Sequence, residues 1–340
     1  MNIVKNNTAG KCISTSVATL LVLSGCGGGG SSAPAASAPV STLSPITASN
    51  SAQVASNAYA ANTSISNSTT GAGSLLSGVS IGGTTPGLVA PALALFKRAY
   101  GNGTPTLLTG VSSSQACSGG GSIAVTGLKP GSTGPANGDK ISVTASHCVE
   151  NGTTADGTLA MTFSNISGDL FGAGAGAATI DITFTNFSVV DGATTDTASG
   201  DMKLVASQTA AGYMTLAISG TALQTAELKA GAKVSDLRMS DYTATVTGSG
   251  TTFSVSASYA MSGTLASIGQ VSYTVRTLQP FSAGASGVPS AGSLIVNGAA
   301  SSVTATVVSG GKVQLDYSAK GDTVITQTNT VDWATFAVNR

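Results

Sequence analysis

The sequence predicts an all-β chain: a large antiparallel meander sheet curled into a barrel-like or sandwiched body, with one short N-terminal helix. Three observations carry this prediction. From about Gly110 onward, apolar residues recur at every second position. Clusters of Gly, Asn and Asp interrupt the alternation at intervals suited to turns. No convincing helical period breaks the series, which disfavours parallel βαβ units.

The first element is a leader over residues 1–25. Lys5 and Lys11 supply its positive end, no acidic residue occurs before Asp139, and an apolar core follows through Val17, Ala18 and Leu20 to Leu23. About a dozen residues is too short to cross a ~30 Å hydrocarbon core as a helix. Leu23-Ser24-Gly25-Cys26 then closes the segment. This order resembles the bacterial lipoprotein signal, which implies diacylation of the Cys26 thiol and cleavage before it. Two or three acyl chains, at about 0.8 kcal/mol per buried methylene, hold a protein firmly on a bilayer. In enterobacterial lipoproteins aspartate after the cysteine resembles an inner-membrane retention signal, so Gly27 implies the outer membrane.

Residues 26–86 follow as an expected disordered tether. They are Gly, Ser, Ala, Thr and Pro with scattered aliphatics, no charge, and Tyr59 as their one aromatic. Little apolar surface is available to offset the entropy of ordering. About 60 such residues would reach roughly 40–45 Å from the membrane. The opening glycine run resembles the tethers of surface-displayed neisserial lipoproteins. Within the next segment, residues 87–109, Ala90 to Tyr100 predicts the short helix. Pro91 suits its first turn, Lys97-Arg98 its last, and Leu93, Phe96 and Tyr100 share one face.

Residues 110–340 carry the β-domain. Leu159, Met161 and Phe163 alternate with polar neighbours, as do Ile180, Ile182 and Phe184, then Met214, Leu216 and Ile218. Phe253, Val255, Ala257 and Tyr259 continue the pattern, followed by Val271, Tyr273 and Val275, by Leu294 and Val296, and by Val313, Leu315 and Tyr317. Apolar on one side and Thr or Ser on the other predicts half-buried antiparallel strands. Two echoes run through the series. Phe163-Ser164-Asn165-Ile166-Ser167 recurs as Phe184-Thr185-Asn186-Phe187-Ser188 and as Met239-Ser240-Asp241-Tyr242-Thr243. In each, the apolar face shifts by one residue across the Asn or Asp, as a β-bulge requires. The second echo is a glycine ahead of alternating apolar residues, at Gly157, Gly200, Gly263 and Gly292. A membrane-spanning barrel fits less well, because aromatic girdles are missing and the chain ends in Asn339-Arg340.

With Cys12 in the leader and Cys26 lipidated, Cys117 and Cys148 remain for a disulfide in an oxidising compartment. It would staple Ile123 to Thr126, expected as the first strand, to the strand from Ile141 to Cys148. The 14 basic and 14 acidic residues form no basic stripe, and losing Lys5 and Lys11 leaves 12 against 14. Nucleic-acid binding is disfavoured.

Chemistry-bearing residues are sparse. His147 is the single histidine; consecutive placement of Ser146 and His147 on a strand would send them to opposite faces, against a triad with Asp139. Gly78-Val79-Ser80-Ile81-Gly82 matches the nucleophile-elbow pattern without its strand-to-helix context. Asn137-Gly138-Asp139, Asp191-Gly192 and Gly321-Asp322 suit turns and lack the alternating ligands of a calcium loop. Asp181, Asp201 and Asp316 lie within strands, and Asp181 and Asp316 fall on the polar face, where a solvated carboxylate is expected. No catalytic residue, cofactor or metal site is expected.

The lipobox, the glycine run, Cys117-Ser118-Gly119-Gly120-Gly121-Ser122, Gly138-Asp139, Cys148, Gly157-Thr158-Leu159 and Val331-Asp332-Trp333 together resemble a broad group of proteobacterial outer-membrane lipoproteins. The resemblance implies address and architecture and brings no activity with it. The expectation is a lipid-anchored envelope protein with a structural or binding role toward an envelope protein or lipid. The alternatives are a carrier of an apolar ligand in a curved sheet and, less favoured, a hydrolase using paired carboxylates.

Overall fold

The structure is a computed structural model that describes residues 42–61, 95, 113–127, 135–150, 152–168, 175–249, 252–283, 288–321 and 324–338. The chain divides into residues 1–40 and residues 41–340, and the second unit holds all the described elements. Residues 51–61 form helix α1. The strands are β1 (Ser113–Ala116), β2 (Ser122–Thr126), β3 (Lys140–Glu150), β4 (Thr153–Gly168), β5 (Gly176–Asp191), β6 (Thr194–Gln208) and β7 (Met214–Lys229). They continue as β8 (Ala232–Ser249), β9 (Thr252–Leu265), β10 (Gly269–Ala283), β11 (Pro289–Gly298), β12 (Ser301–Val308), β13 (Lys312–Ser318) and β14 (Gln327–Asp332), and helix α2 (Trp333–Val338) follows.

Among the described residues these fourteen strands make one sheet in which spatial order is sequence order, and each neighbouring pair is antiparallel. The all-β meander is thus the fold. No pairing joins β1 to β14 among these residues, so the sheet stays open. It begins one strand before the expected Ile123 to Thr126, because β1 pairs with β2 across the Cys117–Gly121 turn. Ser-Ser-Gln-Ala gives β1 no apolar alternation from which to be read.

The period-two positions form the core. Leu159, Met161, Phe163, Ile180, Ile182, Phe184, Met214, Leu216, Ile218, Val271, Tyr273, Val275, Leu294, Val296, Val313 and Leu315 are all buried. Their neighbours Asp181, Thr183, Lys203, Arg238, Thr245 and Arg276 are exposed. The apolar face therefore turns inward and the Thr, Ser and charged face outward, the reverse of a lipid-facing barrel.

The expected tether does not extend over residues 42–61, which fold onto the sheet. Thr47 and Asn50 cap α1 reciprocally: Asn50 N donates to Thr47 Oγ1 at 3.3 Å, and Thr47 N to Asn50 Oδ1 at 2.8 Å. Ala-rich sequence then favours helix. Val54, Ala55, Ser56, Asn57, Ala58 and Ala61 are buried, so α1 is enclosed on most sides. Small side chains let it sit close to its neighbours. Ahead of it, Ser44 N donates to Ser272 O at 2.8 Å, Ala299 N to Ser44 O at 2.9 Å, and Ile46 N to Ser301 Oγ at 2.8 Å. Composition concealed this fold, because the entropy of ordering is met by burial against a distant sheet.

Tyr59 joins the two helices. Its ring stands edge-on to Phe281 at 5.1 Å and to Trp333 at 4.9 Å, with Phe336 at 5.9 Å. The Tyr259 hydroxyl donates to Ala58 O, and Ser56 Oγ donates to Phe336 O at 2.6 Å. Helix α2, which sequence reading did not anticipate, buries Trp333 and Phe336 beside α1. Of the helix expected over Ala90 to Tyr100, Leu95 alone lies within the described residues, where it is helical and buried.

Candidate functional site

Polar chemistry concentrates along two features of the sheet: the corner closed by the disulfide, and a transverse seam of bulges that begins beside it.

At the corner Cys117 and Cys148 are disulfide-bonded with Cα atoms 5.4 Å apart, tying the β1–β2 turn to β3. Gly119 N donates to Val149 O and Val149 N to Gly120 O, both at 2.9 Å. Gly121 has φ +70°, and a Cβ there would collide with the His147 carbonyl. The glycine run thus lets the turn lie flat on β3. Glu150 secures it, accepting from Ser118 N at 2.9 Å and from Ser118 Oγ at 2.7 Å. The Glu150 carboxylate and both sulfurs fall within 4.8 Å of one another. Both sulfurs are committed to the bridge, so they offer no thiolate to a metal.

The seam crosses the sheet from β3 to β11. Register shifts fall between Ala145 and Cys148 (β3–β4), Asp156 and Thr158 (β4–β5), Phe184 and Phe187 (β5–β6) and Gly200 and Lys203 (β6–β7). They resume between Ser240 and Thr243 (β8–β9), Arg276 and Phe281 (β9–β10) and Thr277 and Gln279 (β10–β11). Both echoes in the sequence meet bulges, apart from Gly263, which pairs in regular register with Leu237 and Val271. Asn165, Asn186 and Asp241 have φ of 54°, 46° and 48°. Asn and Asp tolerate this left-handed conformation better than other non-glycine residues. Glycines take the complementary positions: Gly157 (φ +100°) lies under the Asn186 carbonyl and Gly200 (φ +135°) under that of Ala222, each too close for a Cβ. Asn165 belongs to a second bulge nearer the other end of β4, where Ile166 N donates to Asn137 Oδ1 at 2.7 Å.

His147 is a fourth member of the left-handed set, at φ 48°, and sequence reading missed it. Its bulge skips one step of the alternation, so Ser146 and His147 are both exposed and do not take opposite faces. The apolar shift from Ala145 to Cys148 is the same signal seen at the Asn bulges, hidden there by a histidine.

At the β3–β4, β5–β6 and β6–β7 bulges a side-chain oxygen from the adjoining strand accepts a backbone N–H beside the register shift. Asp156 Oδ1 takes His147 N at 2.8 Å and also sits 3.1 Å from His147 Nδ1. Ser199 Oγ takes Asn186 N at 3.1 Å. Asp201 accepts Thr221 N and Thr221 Oγ1 at 2.8 Å and Ala222 N at 2.9 Å. Burial pushes the Asp201 carboxyl upward, but these donors outweigh it and hold the group below its ordinary value. The Tyr242 hydroxyl donates to Asp201 O; burial first, then the Asp201 charge, raises its pKa.

Other carboxylates are also engaged. Asp139 is buried and accepts Ala136 N at 2.8 Å, within a turn whose Gly138 N donates to Phe163 O at 2.8 Å. Asp316 binds Gln314 Nε2 and Thr328 Oγ1. Asp181 and Asp201 occupy adjoining strands, with Asp181 opposite Lys203 and Thr183 opposite Asp201. They are diagonal neighbours, about 7–8 Å apart by sheet geometry. A glycosidic acid would need a raised pKa, whereas that of Asp201 is lowered. The seam orders backbone. Among the described residues it gathers no nucleophile, base and oxyanion donor around a common point.

Cys26 and the Gly78–Gly82 motif lie outside the described residues. No helix among the described residues is long and apolar enough to cross a membrane, which leaves membrane strands unaddressed. No family model, curated protein or solved structure matches the chain.

Proposed function

We propose that this chain is a lipid-anchored cell-envelope protein, moored through Cys26 in the outer membrane, with a structural or binding role carried by the outer face and rims of its sheet. One observation carries the reading. The inward apolar face is already taken up by the chain's own helix α1, by Trp333 and Phe336 of α2 and by opposing core side chains. Binding partners therefore fall to the Thr- and Ser-rich outer surface. The alternative role as carrier of an apolar ligand would require α1 to leave, exposing Val54, Ala55 and Ala58 together with the residues they cover.

Fifteen residues, 27–41, separate Cys26 from Thr42, the first described residue. Metabolic labelling with palmitate tests the anchor: wild type takes up label and Cys26→Ser does not. Equal labelling of both, or of neither in exported protein, overturns it. Membrane fractionation and protease shaving of intact cells then locate the body.

A further inference from the structure

We propose that the corner closed by Cys117 and Cys148 becomes a zinc site once its bridge is reduced, with both thiolates and the Glu150 carboxylate as ligands. The proposal is independent of the lipid anchor. The two sulfurs and the Glu150 carboxylate lie within 4.8 Å of one another. Zinc takes sulfur at about 2.3 Å and carboxylate oxygen at about 2.0–2.2 Å, which sets tetrahedral donors roughly 3.4–3.8 Å apart. Opening the bridge lets the sulfurs part to that spacing with the Cα atoms where they are, 5.4 Å apart.

The frame that holds these donors does not depend on the bridge. Cys117 N donates to Gly121 O at 3.1 Å and Gly120 N to Cys117 O at 3.3 Å, while the Gly119 and Val149 amides tie the turn to β3. Cys148 and Glu150 stand two residues apart on β3, beyond its bulge, so their side chains leave the same face. Ser118 fixes the carboxylate through its N–H at 2.9 Å and its hydroxyl at 2.7 Å. A carboxylate has about four acceptor positions, so these bonds orient it without consuming it, as the hydrogen-bond partners of metal-bound carboxylates do.

Reduction by a dithiol delivers two electrons and two protons to the bridge: the sulfur–sulfur bond breaks, the donor closes as a disulfide, and Cys117 and Cys148 are left as thiols. Zinc then displaces the two thiol protons, and water completes its fourth position. Two thiolates beside a carboxylate repel one another unless a cation lies among them, and sulfur donors favour zinc over calcium or magnesium. Cys148 is 1% and Cys117 6% exposed, whereas Ser118 beside Glu150 is exposed, so the ion enters past the carboxylate. Once bound, it joins the β1–β2 turn to β3 as the bridge did.

For the test, the whole chain in mild detergent is reduced with a phosphine, which adds no competing thiol, freed of it without air, and titrated with zinc alone. Reduced wild type is expected to hold one zinc ion more than the paired Cys117→Ser, Cys148→Ser variant, and bridged wild type no more than that variant. Glu150→Gln should weaken zinc binding by roughly tenfold or more, since a neutral amide replaces the anionic ligand. Equal zinc in reduced wild type and the paired variant overturns the proposal. So does equal binding by the bridged chain, or unchanged affinity in Glu150→Gln. Should Glu150→Gln fail to fold, X-ray absorption of zinc-loaded wild type decides the ligand set. Two sulfur neighbours with oxygen are expected, whereas four sulfurs, marking zinc shared between two copies, overturn the site.

Discussion

Tyr242 fills the space that Gly220 leaves empty: a Cβ on Gly220 would collide with the hydroxyl end of the Tyr242 side chain, which donates to the Asp201 carbonyl. Tyr242 is fully buried and cannot swing aside. Gly220→Ala is therefore expected to destabilise by about 1–3 kcal/mol through overpacking. A lowered urea midpoint at unchanged slope would show it, and a midpoint equal to wild type would refute it.

Asn186 tests the seam. Its left-handed φ of 46° suits Asn or Gly and penalises a β-branched side chain. Asn186→Val is expected to cost about 1–3 kcal/mol. Asn186→Gly should stay within about 1 kcal/mol of wild type, since glycine accepts the angle freely. Equal losses for both variants would mean that the side chain matters and the angle does not.

Tyr59 tests whether α1 belongs to the fold. Its ring touches Phe281, Trp333 and Phe336, so Tyr59→Ala should cost about 3–5 kcal/mol. Loss of near-ultraviolet dichroism from Trp333 should accompany it. Unaltered stability would return residues 42–61 to the tether.

Removing the Cys117–Cys148 bridge, which spans a sequence separation of 31, should cost about 3–4 kcal/mol on the chain-entropy estimate. Paired Cys→Ser substitution avoids leaving a reactive thiol. Glu150 and the glycine turn should hold the strands in register, so the amide spectrum is expected to survive while the urea midpoint falls.

Two pH limbs follow from opposite shifts. Asp201 is lowered on folding, so its contribution is present above its unfolded pKa and fades as pH falls through the folded one. Asp201→Asn should therefore flatten the acid limb of stability. Tyr59, Tyr242 and Tyr273 are raised, chiefly by burial. Their contribution is complete below the ordinary tyrosine pKa of about 10 and is lost as pH climbs beyond it. Tyr242→Phe should shift the alkaline limb upward, and an unmoved limb would exclude Tyr242 as its source.

Sequence alone determined the class, the meander and most of the core, because a period of two commits Leu159, Ile182 or Leu216 to a face wherever the strand lies. It also determined the bulges at Asn165, Asn186 and Asp241, since a skipped alternation across a residue tolerant of left-handed backbone has one geometric cause. Tertiary structure decided what depends on distant partners. Residues 51–61 look like tether until the sheet supplies a surface on which their small side chains can be buried. β1 and β14 lack an apolar face and exist through the strands beside them. His147 bulges because Asp156 on the next strand is placed to receive its displaced amide, a relationship that local spacing does not contain.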